Sequence, residues 1–272
     1  MKKVILKAIA LGLAAVLGIA LLTGCDSTGN EKVITVGASP SPHGEILQQI
    51  KKLIEAKGYK LKIVEYNDYV LPNTATDEGE LDANFFQHGP YLDNFNAENG
   101  TSLVAVADVH FEPLGLYSSS VKNISDIEKG AIIAVPNDAT NEARALLLLE
   151  TKGLITLKEG AGVNATVQDI ESNPLKLKIL EIEAAQLTRS LQDVDAAVIN
   201  GNYAISGGLQ VEDAIAVEES TSVAAETYAN ILVVKEGRED DEKIQLLIDA
   251  LLSKEVKEYI EKEYKGAVVP VF

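Results

Sequence analysis

The chain has 272 residues and a mass of 29.1 kDa, enough for one large domain or two modest ones. Its composition, 46% hydrophobic and 24% charged, is that of a folded globular protein. Acids outnumber bases 41 to 24, for a net charge of −17, which argues against a polyanionic partner such as nucleic acid. A single cysteine rules out an intramolecular disulfide and a cysteine-built zinc site.

Residues 1–24 read as a signal segment. Lys2, Lys3 and Lys7 make a positive start, and Ala8 to Leu22 is uncharged. That run has the length of a signal core and is short for a membrane span. Leu22-Thr23-Gly24-Cys25 then resembles a bacterial lipobox, in which the cysteine is lipidated and becomes the new N-terminus. Residues 26–32 are polar and read as a tether. The expected place is the extracytoplasmic face of the cell membrane, held by lipid on Cys25.

From residue 33 onward strand-type and helix-type segments alternate, which predicts an α/β fold. Val33 to Ala38 is an apolar strand. His43 to Lys57 is an amphipathic helix with Ile46, Ile50, Leu53 and Ile54 on one face, ended by Gly58. Lys60 to Tyr66 reads as the next strand. Further strands are predicted at 103–109, 132–135, 177–182, 196–199 and 231–234. Helices are predicted at 140–152, 186–192 and, as one long element, 241–264. No linker divides the chain and no repeat appears. One doubly wound sheet and two lobes facing a cleft both suit the pattern, and a lipid anchor favours the lobes.

Three stretches hold binding chemistry. In the first, Asp138 or Thr140 caps a helix whose opening N–H groups favour an anion. Asn141 and Arg144 share a face of its first turn, and Arg144 suits a carboxylate; a structural acid would be an equally good partner. The second is Leu81 to Tyr91. Read as extended chain, it points Asn84, Phe86 and His88 one way and Phe85 and Gln87 the other. With Tyr69 and Tyr91 these rings make either an aromatic pocket for an apolar or thioether side chain or an ordinary core cluster. The third places Asn200, Asn202 and Asn230 at strand ends, where cleft ligands bind. Asn200 reads better as turn chemistry.

His43, His88 and His110, with Glu112, lack the close spacing of a metal motif, so no metal and no cofactor is expected. The chain has no Gly-rich phosphate loop, no Gly-x-Ser-x-Gly elbow and no evident nucleophile–base pair, so it does not read as an enzyme.

Taken together, Tyr69-Val-Leu-Pro-Asn73, Gly79 to His88, Glu112 to Ser118, Arg144 to Leu149, Glu183 to Leu187 and Asp195 to Ala204 resemble the NlpA lipoproteins, and among them the methionine-binding lipoproteins of ABC importers. The resemblance implies a two-lobed periplasmic-binding-protein fold, with residues 33–113 plus 230–272 as one lobe and 114–229 as the other. It implies a monomer that captures L-methionine and delivers it to an ABC permease driven by an ATPase. Carried over by position, Arg144 would clamp the ligand carboxylate with help from Asn141. Asn202 and Asn230 would hold the groups on the α-carbon, and Tyr69, Phe86, His88 and Tyr91 would enclose the side chain. Gly89, Ala139, Thr188 and Glu226-Thr227 depart from the usual pattern. Those at the pocket rim leave another amino acid or a methionyl dipeptide open as cargo. A surface lipoprotein of adhesin type is the alternative from a different class.

Overall fold

The computed structural model describes residues 32–219 and 227–272. The signal segment, Cys25, the tether as far as residue 31, and Glu226 lie outside the described residues. Val33–Phe272 forms one compact unit.

The chain starts with β1 (Lys32–Ala38), α1 (Glu45–Ala56) and β2 (Tyr59–Glu65). Ile46, Leu47, Ile50 and Ile54 form the buried face of α1, whereas Leu53 is 40% exposed. The buried stripe thus extends to Leu47 at one edge and stops short of Leu53 at the other. Gly58, at φ +81°, turns the chain out of the helix. After α2 (Leu71–Asp77) come β3 (Ala83–His88), α3 (Gly89–Asn99) and β4 (Leu103–Phe111). These are joined later by β12 (Asn230–Lys235) and β13 (Val269–Pro270). The strand order is β13-β4-β12-β3-β1-β2, with β1 parallel to β3 and β12 antiparallel to β3 and β4.

The second sheet is built wholly between these passages. It comprises β5 (Gly115–Tyr117), β6 (Ile132–Pro136), β9 (Lys178–Ile182), β10 (Ala196–Ile199) and β11 (Ala216–Val217), in the order β11-β5-β10-β6-β9. Helix α4 (Ala139–Thr151) follows β6, β7 (Thr156–Leu157) and β8 (Ile170–Ser172) pair with each other, the short α5 (Leu187–Ser190) precedes β10, and the short α6 (Gly201–Ser206) follows it. Each sheet has its own core. Ile34, Phe85, Leu232, Leu247 and Ile260 belong to the first, and Leu116, Ile133, Leu146 and Val198 to the second. The fold is therefore α/β with two lobes, and the ends of β3, β6 and β10 bring their loops together.

The predicted helix at 241–264 is two helices, α7 (Glu242–Leu251) and α8 (Lys254–Tyr264). Ser253 is extended and its hydroxyl accepts the Val256 N–H, capping α8. Hydrophobic spacing alone hid this break, because Val256 and Ile260 still reach the core that Ile244 and Leu247 fill. Among the described residues no helix is long and apolar enough to cross a membrane.

The two faces of α1 can be told apart by truncation. Leu47→Ala should cost about 2–5 kcal/mol of stability in urea unfolding, and Leu53→Ala about 0.5 kcal/mol or less. Equal losses would contradict the helix orientation described here.

Candidate functional site

A small cavity opens where the two lobes meet. Tyr69, Phe86, Gln87, His88, Tyr91, Asn141 and Asn200 line it. The free space is about 20 Å³, room for roughly one water molecule. The aromatic wall is continuous. The Tyr69 ring lies 5.8 Å from Phe86, 5.6 Å from Tyr91 and 5.0 Å from Tyr203. Phe85 points to the other side, where its ring meets His43 and His110 in the first core. Asn84 turns from the cavity into a buried amide network with Asn73, Thr76 and Gln87.

His88 ends β3 and caps α3. Its Nδ1 accepts the Tyr91 N–H at 3.2 Å. The ring proton therefore sits on Nε2, which donates to Asn141 Oδ1 at 3.1 Å. Asn141 stands in the first turn of α4. Its Nδ2 donates to the Asp138 carboxylate, and its Oδ1 also accepts from Asn200 Nδ2 at 2.8 Å. Asp138 is the cap of α4 and takes the Asn141 N–H as well. The anion predicted at this helix start is thus the chain's own carboxylate. Burial raises the Asp138 pKa above the usual carboxylate value, against the hydrogen bonds from Asn141 and Thr140.

Arg144 lies one turn further along α4 and is 3% exposed. Its Nε donates to Glu218 Oε1 and Oε2 at 3.1 and 3.2 Å. Its Nη2 donates to Glu218 Oε2 and, at 2.9 Å, to the Glu112 carbonyl. The guanidinium carbon sits 4.4 Å from the Tyr228 ring centre, and that ring is 5.1 Å from His88. Tyr228 thus joins Arg144 to the aromatic pocket. Of the eight residues expected to bind, Tyr69, Phe86, His88, Tyr91 and Asn141 line the cavity itself. Arg144, Asn202 and Asn230 do not; Arg144 lines a second cavity of about 220 Å³ with Leu147, Leu148, Glu218 and Tyr228. Tyr69 OH donates to Asn202 Oδ1 at 2.6 Å, and His43 Nε2 bonds Asn230 Oδ1 at 2.9 Å.

The sequence reading set Asn200 aside as turn chemistry and gave no binding role to Tyr228 or Glu218. Asn200 Oδ1 and the Tyr228 hydroxyl are buried with no hydrogen-bond partner among the described residues. An unpaired buried acceptor is a costly group in search of a donor. The signal for Asn200 was its strand-end position, which turn chemistry masked.

His43, His110 and Glu112 also come together, and His88 does not join them. Their donor atoms lie within 4.8 Å of one another. The carboxylate Oε1 accepts from His110 Nε2 at 2.7 Å and faces His43 Nε2 at 3.4 Å. Glu112 is further held by the Asn202 N–H, while burial raises its pKa. A Cβ at residue 201 would lie 2.7 Å from Glu112 Cβ, so glycine is required there. His43 Nδ1 and His110 Nδ1 are buried with no hydrogen-bond partner among the described residues, while the Asn202 N–H ties the group to the start of α6.

Burial lowers all three histidine pKa values, His43 from 6.5 to about 4, and His88 and His110 to about 3. The nearby Arg144 charge adds to the effect on His88. The unfolded chain takes up protons near pH 6.5 that the folded chain refuses. Stability should therefore be full above that pH and fall as the pH drops from 6.5 toward 4. Each withheld proton costs about 1.4 kcal/mol per pH unit. Glu112, whose pKa burial raises, opposes part of that loss at acid pH. Urea unfolding at pH 7, 6 and 5 measures the slope, and His43→Gln should flatten it. A stability unchanged from pH 7 to 5 would contradict the neutral buried histidines.

Residues 34–272 match the family model described as NlpA lipoprotein. The chain is 43% identical to the membrane lipoprotein TpN32 of Treponema pallidum over 88% of each chain. It is 41% identical to the methionine-binding lipoprotein MetQ of Bacillus subtilis, over the whole of this chain and 99% of the relative. A nutrient-binding protein from Burkholderia cenocepacia, solved bound to methionine, superposes with a TM-score of 0.84 at 49% identity, over 88% of this chain and all of that one. Family, identity and fold agree, and the chain belongs to the NlpA lipoproteins, a family of binding proteins and not of enzymes.

Proposed function

We propose that this lipoprotein captures L-methionine in the cleft and presents it to an ABC permease and its ATPase. The observation that carries the reading is the aromatic cavity of Tyr69, Phe86, His88 and Tyr91, bounded by asparagine amides and, through Tyr228, by Arg144. A thioether side chain is apolar and polarisable and suits a wall of ring faces. The polar head of the amino acid then meets Asn141, Asn200, Asn202, Asn230 and Arg144. Among the described residues Asn200 Oδ1 has no donor, and an α-ammonium supplies one. The relatives whose names specify methionine support this cargo.

The cavity of about 20 Å³ sets how the ligand enters. The Tyr69–Asn202 and His88–Asn141 hydrogen bonds cross the cleft. Both must lengthen as the lobes part, and the ligand's own groups replace them on closure. In this reading residues 33–113 plus 230–272 move against residues 114–229. Lipid on Cys25 keeps the protein beside the permease on the extracytoplasmic face of the cell membrane.

Titration calorimetry of the full lipoprotein in detergent tests the proposal. L-Methionine should bind one to one with a Kd of about 1 μM or below. Phe86→Ala should weaken it roughly tenfold or more, and Arg144→Ala roughly a hundredfold or more, with circular dichroism reporting a folded chain. Unchanged affinity in Arg144→Ala would remove Arg144 from the site. No heat with methionine would remove methionine as the cargo.

A further inference from the structure

The bond that orients Arg144 comes from Glu218, a residue in the segment just after β11. Arginine carries five N–H donors, one on Nε and two on each terminal nitrogen. Glu218 takes the Nε donor and one on Nη2. The Glu112 carbonyl takes the other on Nη2. No described residue accepts from Nη1. The side-on fork, the edge best suited to a carboxylate, is therefore filled from within the chain.

The carboxylate is itself fixed. Glu218 Oε2 also accepts the Leu114 N–H at 3.1 Å, which ties it to the entry of β5. Phe111 and Tyr228 hold the guanidinium plane, with its carbon 5.4 and 4.4 Å from their ring centres. Both partners are sheltered, Arg144 at 3% and Glu218 at 11% side-chain exposure. A buried guanidinium without such a partner would be free to swing toward any anion and would carry an uncompensated charge.

We propose that Glu218 is a positioning residue for the binding site: its carboxylate locks the Nε–Nη2 edge of Arg144 and leaves Nη1 as the donor pair for the ligand's carboxylate. This deepens the reading above and rests on Arg144 meeting that carboxylate. The Arg144–Glu218 pair also carries no net charge before a ligand arrives. An amino-acid zwitterion then adds no net charge to the buried site, whereas a simple carboxylate adds one.

The test compares wild type, Glu218→Gln and Glu218→Asp as full chains in detergent. L-Methionine and L-methioninamide, which lacks the free carboxylate, are titrated against each. In Glu218→Gln the affinity for L-methionine should fall about tenfold or more, and the preference for the acid over the amide should shrink by a similar factor. Glu218→Asp should restore part of that preference. A loss shared equally by both ligands would reduce Glu218 to a scaffold residue and overturn the proposal. Tighter methionine binding in Glu218→Gln would overturn it too, by showing that Glu218 competes with the ligand.

A second readout needs no ligand. The chain has three arginines, Arg144, Arg189 and Arg238, so their Nε–H signals in a ¹⁵N-arginine NMR spectrum can be assigned by substitution. The Arg144 signal should exchange slowly with water in wild type and fast in Glu218→Gln. No change would overturn the proposal. If wild type binds no methionine, the proposed cargo fails, and the Arg144 signal still decides whether Glu218 positions the side chain.

Discussion

A guanidinium that is 3% exposed cannot remain without compensation, and the cleft is arranged around that constraint. Arg144 stands on the first turns of α4, in the second lobe. Its partners come from elsewhere in the chain: the Glu218 carboxylate, the Glu112 carbonyl, and the rings of Phe111 and Tyr228. Phe111 ends β4, the last strand before the chain leaves the first sheet, Glu112 follows it, and Tyr228 precedes the return. The charge therefore gathers the passages between the lobes. It also shapes its neighbours, since its field helps keep His88 neutral. A neutral His88 has one ring N–H, and that N–H makes the hydrogen bond to Asn141 across the cleft.

Beneath this lies a second polar centre with no arginine. Glu112 faces His43 and His110 and takes the Asn202 N–H, with Gly201 allowing the close approach. The same asparagine accepts from Tyr69 through its side chain. A shift of α6 against the first sheet would disturb both bonds together. Tyr69 and Asn202 thus belong both to the contact between the lobes and to the proposed ligand site.

Much of the fold was legible in the sequence because its strands and α1 follow simple periodicities. Asp138 was legible as a cap for the same local reason. Other features depend on tertiary context. All six residues of β3 are buried, so it carries no clean alternation of polar and apolar faces. The break at Ser253 leaves the hydrophobic spacing intact. Leu53 and Leu47 flank opposite edges of the apolar stripe of α1, about 120° apart, and only packing decides which edge is buried. At the site, the aromatic residues could be read from their local clustering. Glu218 could not, because it lies 74 residues from the arginine it holds. Asn200 was hidden by its Asn-Gly pair, whose turn chemistry is as common as a binding role.

Native mass spectrometry of the purified lipoprotein, before and after unfolding and refolding, tests the central claim most directly. The account predicts a bound mass equal to methionine that disappears on refolding and returns when L-methionine is added. A different bound mass would contradict methionine as the cargo. No bound mass, and no response to methionine, other amino acids or methionyl dipeptides, would contradict the cleft as a small-molecule site.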